Sequence, residues 1–254
     1  MWPMNDLTHL LLIAMAGFGS GLINTMVGSG TLIIFPVLLL TGMTPIAANI
    51  ATNIGLAPGS ISAAAGYWSG VPPPRKRVVS LSAAATLGAV GGAALLLLLP
   101  PQVFTLVAPV VIGIAVMLVI FQVRLNRIFT ARHDADSGST WQILLSVLTT
   151  SVYGAYFGAG QSTILFALMA ILMSEELQSV NALRNVLLAV DNTVAAVIYS
   201  FTMHVDWVAI GFIAAGAIAG GQVGARVSRR LSARVLRVSV VVVGVLGIVQ
   251  LIRD

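Results

Sequence analysis

The sequence predicts an all-α polytopic membrane protein, an inverted repeat of two halves with about eight to ten membrane segments, some broken or re-entrant. Three observations predict it. Of 254 residues, 58% are hydrophobic and 8% charged, whereas a soluble domain carries about a quarter charged residues. Apolar stretches long enough to cross a bilayer recur, those from Arg77 to Leu99 and from Val235 to Ile252 among them. An ordered series of residues in the first half also returns in the second.

The first segment, 7–27, follows Met1-Trp2-Pro3-Met4-Asn5-Asp6, which holds no Lys or Arg. A cleaved signal peptide opens on basic residues, so this segment is expected to be a retained helix. Segments 31–42, 46–69, 76–99 and 103–124 complete a first transmembrane repeat over 1–124. Residues 125–138, with Asp134, Asp136, Ser137 and Gly138, read as a solvated cytoplasmic linker. A second repeat over 139–254 holds segments 139–157, 161–173, 178–201, 206–230 and 233–252. Segments 31–42 and 161–173 are short for a span at about 1.5 Å per residue. Each either crosses or forms a re-entrant hairpin with the helix before it, and both choices leave an odd number of crossings per half.

The net charge of +5 is explained by topology and does not call for a nucleic acid partner. Eleven of the 13 basic residues fall in three clusters: Arg75, Lys76 and Arg77; Arg124, Arg127 and Arg132; and Arg226, Arg229, Arg230, Arg234 and Arg237. The positive-inside rule places all three on the cytoplasmic side. The uncharged loop 99–102 and the loop 202–206, which lacks Lys and Arg, are placed outside.

At an offset of 132, Gly88, Gly92 and Ala93 fall on Gly220, Gly224 and Ala225, Asn49 and Asn53 on Asn181 and Asn185, and Tyr67 on Tyr199. Earlier in each half the offset is 130, and Gly28-Ser29-Gly30 falls on Gly158-Ala159-Gly160. The basic loop at Arg75 then matches the loop at His204, which lacks Lys and Arg, so equivalent loops lie on opposite faces. That is an inverted repeat, a common plan among secondary transporters.

Paired glycines break a helix, and broken backbone persists at membrane depth only where it is buried in protein or lines a cavity. Gly28, Ser29, Gly30 and Thr31, with Asn24 on the helix before them, form one such break. Gly158, Gly160, Gln161 and Ser162 form the other. A helix N-terminus presents N–H groups suited to an anion; close packing through small residues is the bland alternative. Within 178–201, Arg184 and Asp191 are the only charged residues. Arg184 suits an oxyanion through its planar donor fork, or snorkels to the nearby interface. Asp191 is a candidate for proton coupling, or a hydrogen-bonding partner of neighbouring helices. Asn181 and Asn185, with Asn49, Thr52 and Asn53 in the first half, either hold an anion or join helices.

Other classes lack their residues. Cysteine is absent, and the three histidines, His9, His133 and His204, lack metal-ligand spacing. No phosphate-binding loop and no nucleophile–histidine–acid set is present. The expectation is no enzyme and no cofactor. Glu175 and Glu176 read as a solvated turn.

The run Gly17-Phe18-Gly19-Ser20-Gly21-Leu22-Ile23-Asn24-Thr25-Met26-Val27-Gly28-Ser29-Gly30, continuing through Thr31 and Pro36 to Ala48 and Thr52, resembles the TauE/SafE sulfite exporter family of anion transporters. Tyr153, Gly158, Gly160, Asn181, Arg184 and Asn185 carry the likeness in the second half, and Gly220-Gly221-Gln222-Val223-Gly224-Ala225 adds to it. The resemblance implies transport of sulfite, thiosulfate or an organosulfonate across a bacterial inner membrane. The expected partners are a small anion, the lipid bilayer and, as a candidate coupling ion, the proton; a homo-oligomer is compatible. An anion channel, a transporter of non-sulfur organic anions and a non-transporting scaffold are the alternatives.

Overall fold

A computed structural model describes residues 7–26, 28–68, 74–108, 110, 113–114, 117 and 138–227. Helices and short turns account for them, with no strand among the described residues. In chain order the helices are α1 (Leu7–Met26), α2 (Thr31–Leu40), α3 (Pro45–Trp68) and α4 (Arg75–Leu98), then α5 (residues 101–108). They continue as α6 (Thr140–Tyr156), α7 (Gln161–Leu172), α8 (Leu177–Thr202) and α9 (Trp207–Val227). Each predicted segment over these residues corresponds to one helix, with ends within about one helical turn. The later part of segment 103–124, most of the linker and segment 233–252 lie outside the described residues.

Among the described residues, four helices are long and apolar enough to cross a membrane: Leu7–Met26, Arg75–Leu98, Gln178–Thr202 and Trp207–Gly224. Their outward faces are apolar. Met15, Leu98, Leu106, Trp141 and Phe201 are each at least 70% exposed, as lipid contact allows and water does not. The chain is therefore an all-α, multi-pass membrane protein.

The start of α6 is capped by its own sequence. Ser139 Oγ accepts from Gln142 N, and the Gln142 side chain accepts from Ser139 N, which satisfies two otherwise orphaned donors. The start of α4 carries Arg75, Lys76 and Arg77, the wrong sign for a helix N-terminus. Arg77 is offset by an ion pair with Glu175. Glu175 also accepts from Ser179 Oγ at 3.0 Å, so it ties the α7–α8 turn to α4, where the sequence predicted a merely solvated turn.

Whether segment 161–173 crosses or returns is resolved by one contact. Gly138 N donates to Leu172 O at 3.0 Å, so α7 ends beside the point where α6 begins. The α6–α7 pair is a hairpin. At 12 residues, α7 covers about 18 Å of a hydrocarbon core of about 30 Å. The 10 residues of α2 cover about 15 Å, too little to span.

Small residues set the tightest helix contacts. A Cβ at Gly88 of α4 would overlap Leu148 O of α6, and one at Gly92 would overlap Val152 O. On α9, a Cβ at Gly220 would overlap Phe18 O of α1, and one at Gly224 would stand 2.9 Å from Leu22 O. The glycines of these two sets differ by 132 in number and their partners by 130, the two offsets read from the sequence. The wider packing follows the same exchange. Helix α9 packs on α1 and α3, α4 packs on α6 and α8, and α3 packs on α8.

Candidate functional site

Both breaks are built alike. Gly28 and Gly158 have φ of 87° and 72°, a left-handed conformation that costs little only for glycine. Each turns its N–H back to a carbonyl five residues earlier: Gly28 to Ile23 O at 3.1 Å, Gly158 to Tyr153 O at 3.3 Å. New helices then start at Thr31 and Gln161, and neither α2 nor α7 has a side-chain cap.

The two tips meet. Thr31 Oγ1 donates to Gly158 O at 3.0 Å and accepts from Gly160 N at 3.1 Å. In the other direction, Thr163 Oγ1 donates to Gly28 O at 3.2 Å. Two helix N-termini are thereby fixed face to face inside the protein, each locked by a threonine of the other half.

Arg184 stands at this junction, only 2% exposed. Its guanidinium reaches the Asn24 carbonyl at 3.4 Å and lies over the Phe166 ring at 5.4 Å, a cation–π arrangement. A Cβ at Gly28 would stand 2.7 Å from Arg184 Nη1 and 2.8 Å from Ser162 Oγ. Thus the missing side chain of Gly28 makes room for the cation. Snorkelling to the interface is excluded by this burial. Ser29 and Ser162 are buried here, and Ser29 Oγ, Ser162 Oγ and Asn24 Oδ1 have no hydrogen-bond partner among the described residues. An unpartnered hydroxyl, that of Ser162, beside a buried cation is an arrangement that an oxyanion completes.

Asp191 lies apart from Arg184. Gln161 Nε2 donates to Asp191 Oδ2, and Ser151 of α6 stands beside the same carboxylate. Gly154 permits this, because a Cβ there would overlap the Gln161 side chain. The α7 N-terminus thus connects the tip junction to the one buried acid among the described residues.

The asparagines line the approach. Asn49 Nδ2 donates to Tyr156 O at 3.0 Å, and a Cβ at Gly158 would lie 3.6 Å from Asn49 Oδ1 and 3.8 Å from Asn53 Nδ2. Asn53 Nδ2 donates to Asn49 O at 3.0 Å and Asn185 Nδ2 to Asn181 O at 2.8 Å, the same bond in each half. Asn24 and Asn185 share a narrow cavity between α1, α3, α8 and α9, with room for about one water. Thr52 instead gives its hydroxyl to Ala48 O of its own helix at 2.7 Å, and Asn181 enters through its carbonyl.

Sequence reasoning missed Ser60, which accepts from Asn192 Nδ2 at 2.8 Å, and the roles of Gly154, Ser151 and Phe166. Ser60 had a usable signal, since the offset of 132 carries it onto Asn192. For the other three the signal exists only in three dimensions.

A family model described as "Sulfite exporter TauE/SafE" matches residues 13–251. No curated protein and no solved structure matches the chain.

Proposed function

Because the chain belongs to the sulfite exporter TauE/SafE family, membrane transporters of sulfite-like anions, we propose that it is a secondary transporter of a small sulfur-containing anion. Sulfite, thiosulfate or an organosulfonate is exported by alternating access across a bacterial inner membrane. The observation that carries this reading is the junction itself: two uncapped helix N-termini, the buried Arg184 guanidinium, and the unpartnered hydroxyls of Ser29 and Ser162. Helix N-termini and guanidinium forks both favour oxyanions. Asn24, Asn53 and Asn185 supply neutral contacts beside them.

The topology is that of an inverted repeat, with the basic loops inside. The matching glycine contacts of α4 on α6 and α9 on α1 support two related halves. Outward movement of one negative charge is favoured by an inside-negative potential, by about 2.3 kcal/mol per 100 mV. Asp191 exchanges a proton during the cycle, and its bond to Gln161 at the α7 N-terminus is the route by which its charge state reaches the anion. The closure of the two tips through Thr31 and Thr163 supports alternating access over an open channel.

The test is the thermal stability of detergent-purified protein with sulfite, thiosulfate, sulfate, sulfoacetate, taurine, acetate or chloride. Ligand that binds the folded state raises its apparent stability. A selective rise with a sulfur oxyanion, lost in Arg184→Ala and reduced in Arg184→Lys, is expected. Equal responses to chloride and acetate, or a response that survives Arg184→Ala, would overturn the assignment.

A further inference from the structure

Ser60 of α3 and Asn192 of α8 touch one another and are both buried. They are 132 residues apart, the offset that relates Asn49 to Asn181 and Asn53 to Asn185. A residue in contact with its own equivalent lies on the axis that exchanges the halves. At intervals of four and seven, Asn49, Asn53 and Ser60 share one face of α3, and Asn181, Asn185 and Asn192 share one face of α8. The seam between the two helices is therefore a polar stripe, and the water-sized cavity lined by Asn24, Thr25, Ser60 and Asn185 opens on it.

The helices on either side of this seam are not the sequence halves. Helices α1 and α3 pack with α9, with α2 against α1 and α3, and α6 and α8 pack with α4, with α7 against α6 and α8. Inside each group, glycines lie against backbone carbonyls so closely that a single methyl group has no room, and such interfaces do not slide without opening voids. The α3–α8 contact is the one extensive helix pair joining the groups among the described residues. Its central bond is exchangeable, since an Asn amide and a Ser hydroxyl donate as readily to water or an oxyanion as to each other. Pro58, two residues before Ser60, lacks the N–H that would tie α3 to Ile54 O.

We propose that the anion's passage is the α3–α8 seam, closed at Ser60–Asn192, and that it opens by movement of two exchanged bundles, α1–α3 with α9 against α6–α8 with α4. This rests on the transporter reading and deepens it, because it names the moving bodies and the closing pair.

The chain has no cysteine, so paired cysteines report cleanly. Three pairs decide. Ser60→Cys with Asn192→Cys bridges the seam. Ser62→Cys with Gln222→Cys replaces an α3–α9 hydrogen bond of 2.7 Å, and Arg77→Cys with Glu175→Cys replaces the ion pair between α4 and the α7–α8 turn; both join different sequence halves within one bundle. Uptake of radiolabelled sulfite and thiosulfate into proteoliposomes is measured with each pair bridged through its thiols, by oxidation or, where long side chains were replaced, by a reducible bis-methanethiosulfonate linker, and again after reduction. Bridging is expected to stop uptake at least tenfold in the seam pair alone, with recovery on reduction. Block by either within-bundle disulfide, or free uptake with the seam disulfide, overturns the proposal. Wild-type vesicles that take up neither anion would count against the sulfur-anion reading alone. Spin-label distances then decide without any substrate. Met15 and Ile218, in different halves but one bundle, are expected to keep one distance, whereas Met15 and Val90, in one half but different bundles, are expected to show two. The reverse, or a single distance in both, overturns the proposal.

Discussion

Gly28 and Gly158 allow the site's steric design to be separated from its backbone requirement. Both have positive φ, 87° and 72°, so alanine costs each about 1–2 kcal/mol in backbone strain. At Gly158 little else is added, because a Cβ meets Gly154 O at 3.2 Å, Asn49 Oδ1 at 3.6 Å and Asn53 Nδ2 at 3.8 Å. At Gly28 it stands 2.7 Å from Arg184 Nη1 and 2.8 Å from Ser162 Oγ, against a comfortable contact of about 3.5 Å. The guanidinium must retreat by roughly 0.8 Å, beyond the ~0.5 Å tolerance of a preorganised site. The end of a long side chain yields more easily than backbone, so the extra effect falls on binding more than on folding. Gly28→Ala and Gly158→Ala are expected to lose similar stability in denaturant unfolding. Anion affinity, read from thermal-shift titration with sulfite and thiosulfate, is expected to fall at least about tenfold in Gly28→Ala, or 1.4 kcal/mol, and to change less than about threefold in Gly158→Ala. Gly42→Ala, with φ of 86° and nothing within 4 Å of the added Cβ, reports the backbone cost alone. Equal loss of affinity in the two break variants, or none in Gly28→Ala, would refute the claim that Gly28 exists to admit Arg184.

Gly88→Ala and Gly220→Ala are expected to destabilise by about 1–3 kcal/mol each through overpacking. Gly19→Ala and Gly211→Ala, where a Cβ meets nothing within 4 Å, are expected to be neutral or to gain up to ~1 kcal/mol of helix propensity; denaturant unfolding of the four variants checks both statements, and equal losses in all would refute them. Thr31→Val keeps the side chain's shape but removes both the donor to Gly158 O and the acceptor for Gly160 N, a loss of about 1–3 kcal/mol in the same assay. Asp191→Asn leaves a group of similar size beside Gln161 but cannot release a proton. Proteoliposome uptake in this variant is expected to lose the pH dependence of the wild type, and an unchanged profile would end the coupling role.

Much of the fold was legible because a bilayer imposes long apolar runs and because a series of residues from the first half returns in the second. The helix ends at Leu7, Thr31, Pro45, Arg75 and Gln161 coincide with changes in hydrophobic pattern or with glycine breaks. Both breaks were visible as glycine pairs, and Arg184 and Asp191 as charges in an apolar helix. The partners were not. Arg184 reaches Asn24 across 160 residues of chain and Gln161 reaches Asp191 across 30, and periodicity says nothing about which helix a face will meet. The hairpin of α6 and α7 was one of two options in the sequence, since length showed only that α7 was short, and the Gly138–Leu172 bond showed where it returned. Glu175 read as solvated because its cation, Arg77, lies 98 residues earlier.

The site is not symmetric, although the glycine contacts around it match between the halves. The offset that pairs Ser60 with Asn192 also pairs Thr52 with Arg184 and Gly59 with Asp191. Two identical copies of the second half, assembled around the same axis, would bury two guanidiniums and two carboxylates near one another, with like charges repelling in a medium that screens them poorly. Two halves within one chain escape that constraint. One carries the ionisable residues and the other the neutral threonine and glycine. The covalent join between the halves thus does more than hold them together: it permits an odd number of charges on a two-fold frame, which a homodimer of the same shape cannot have.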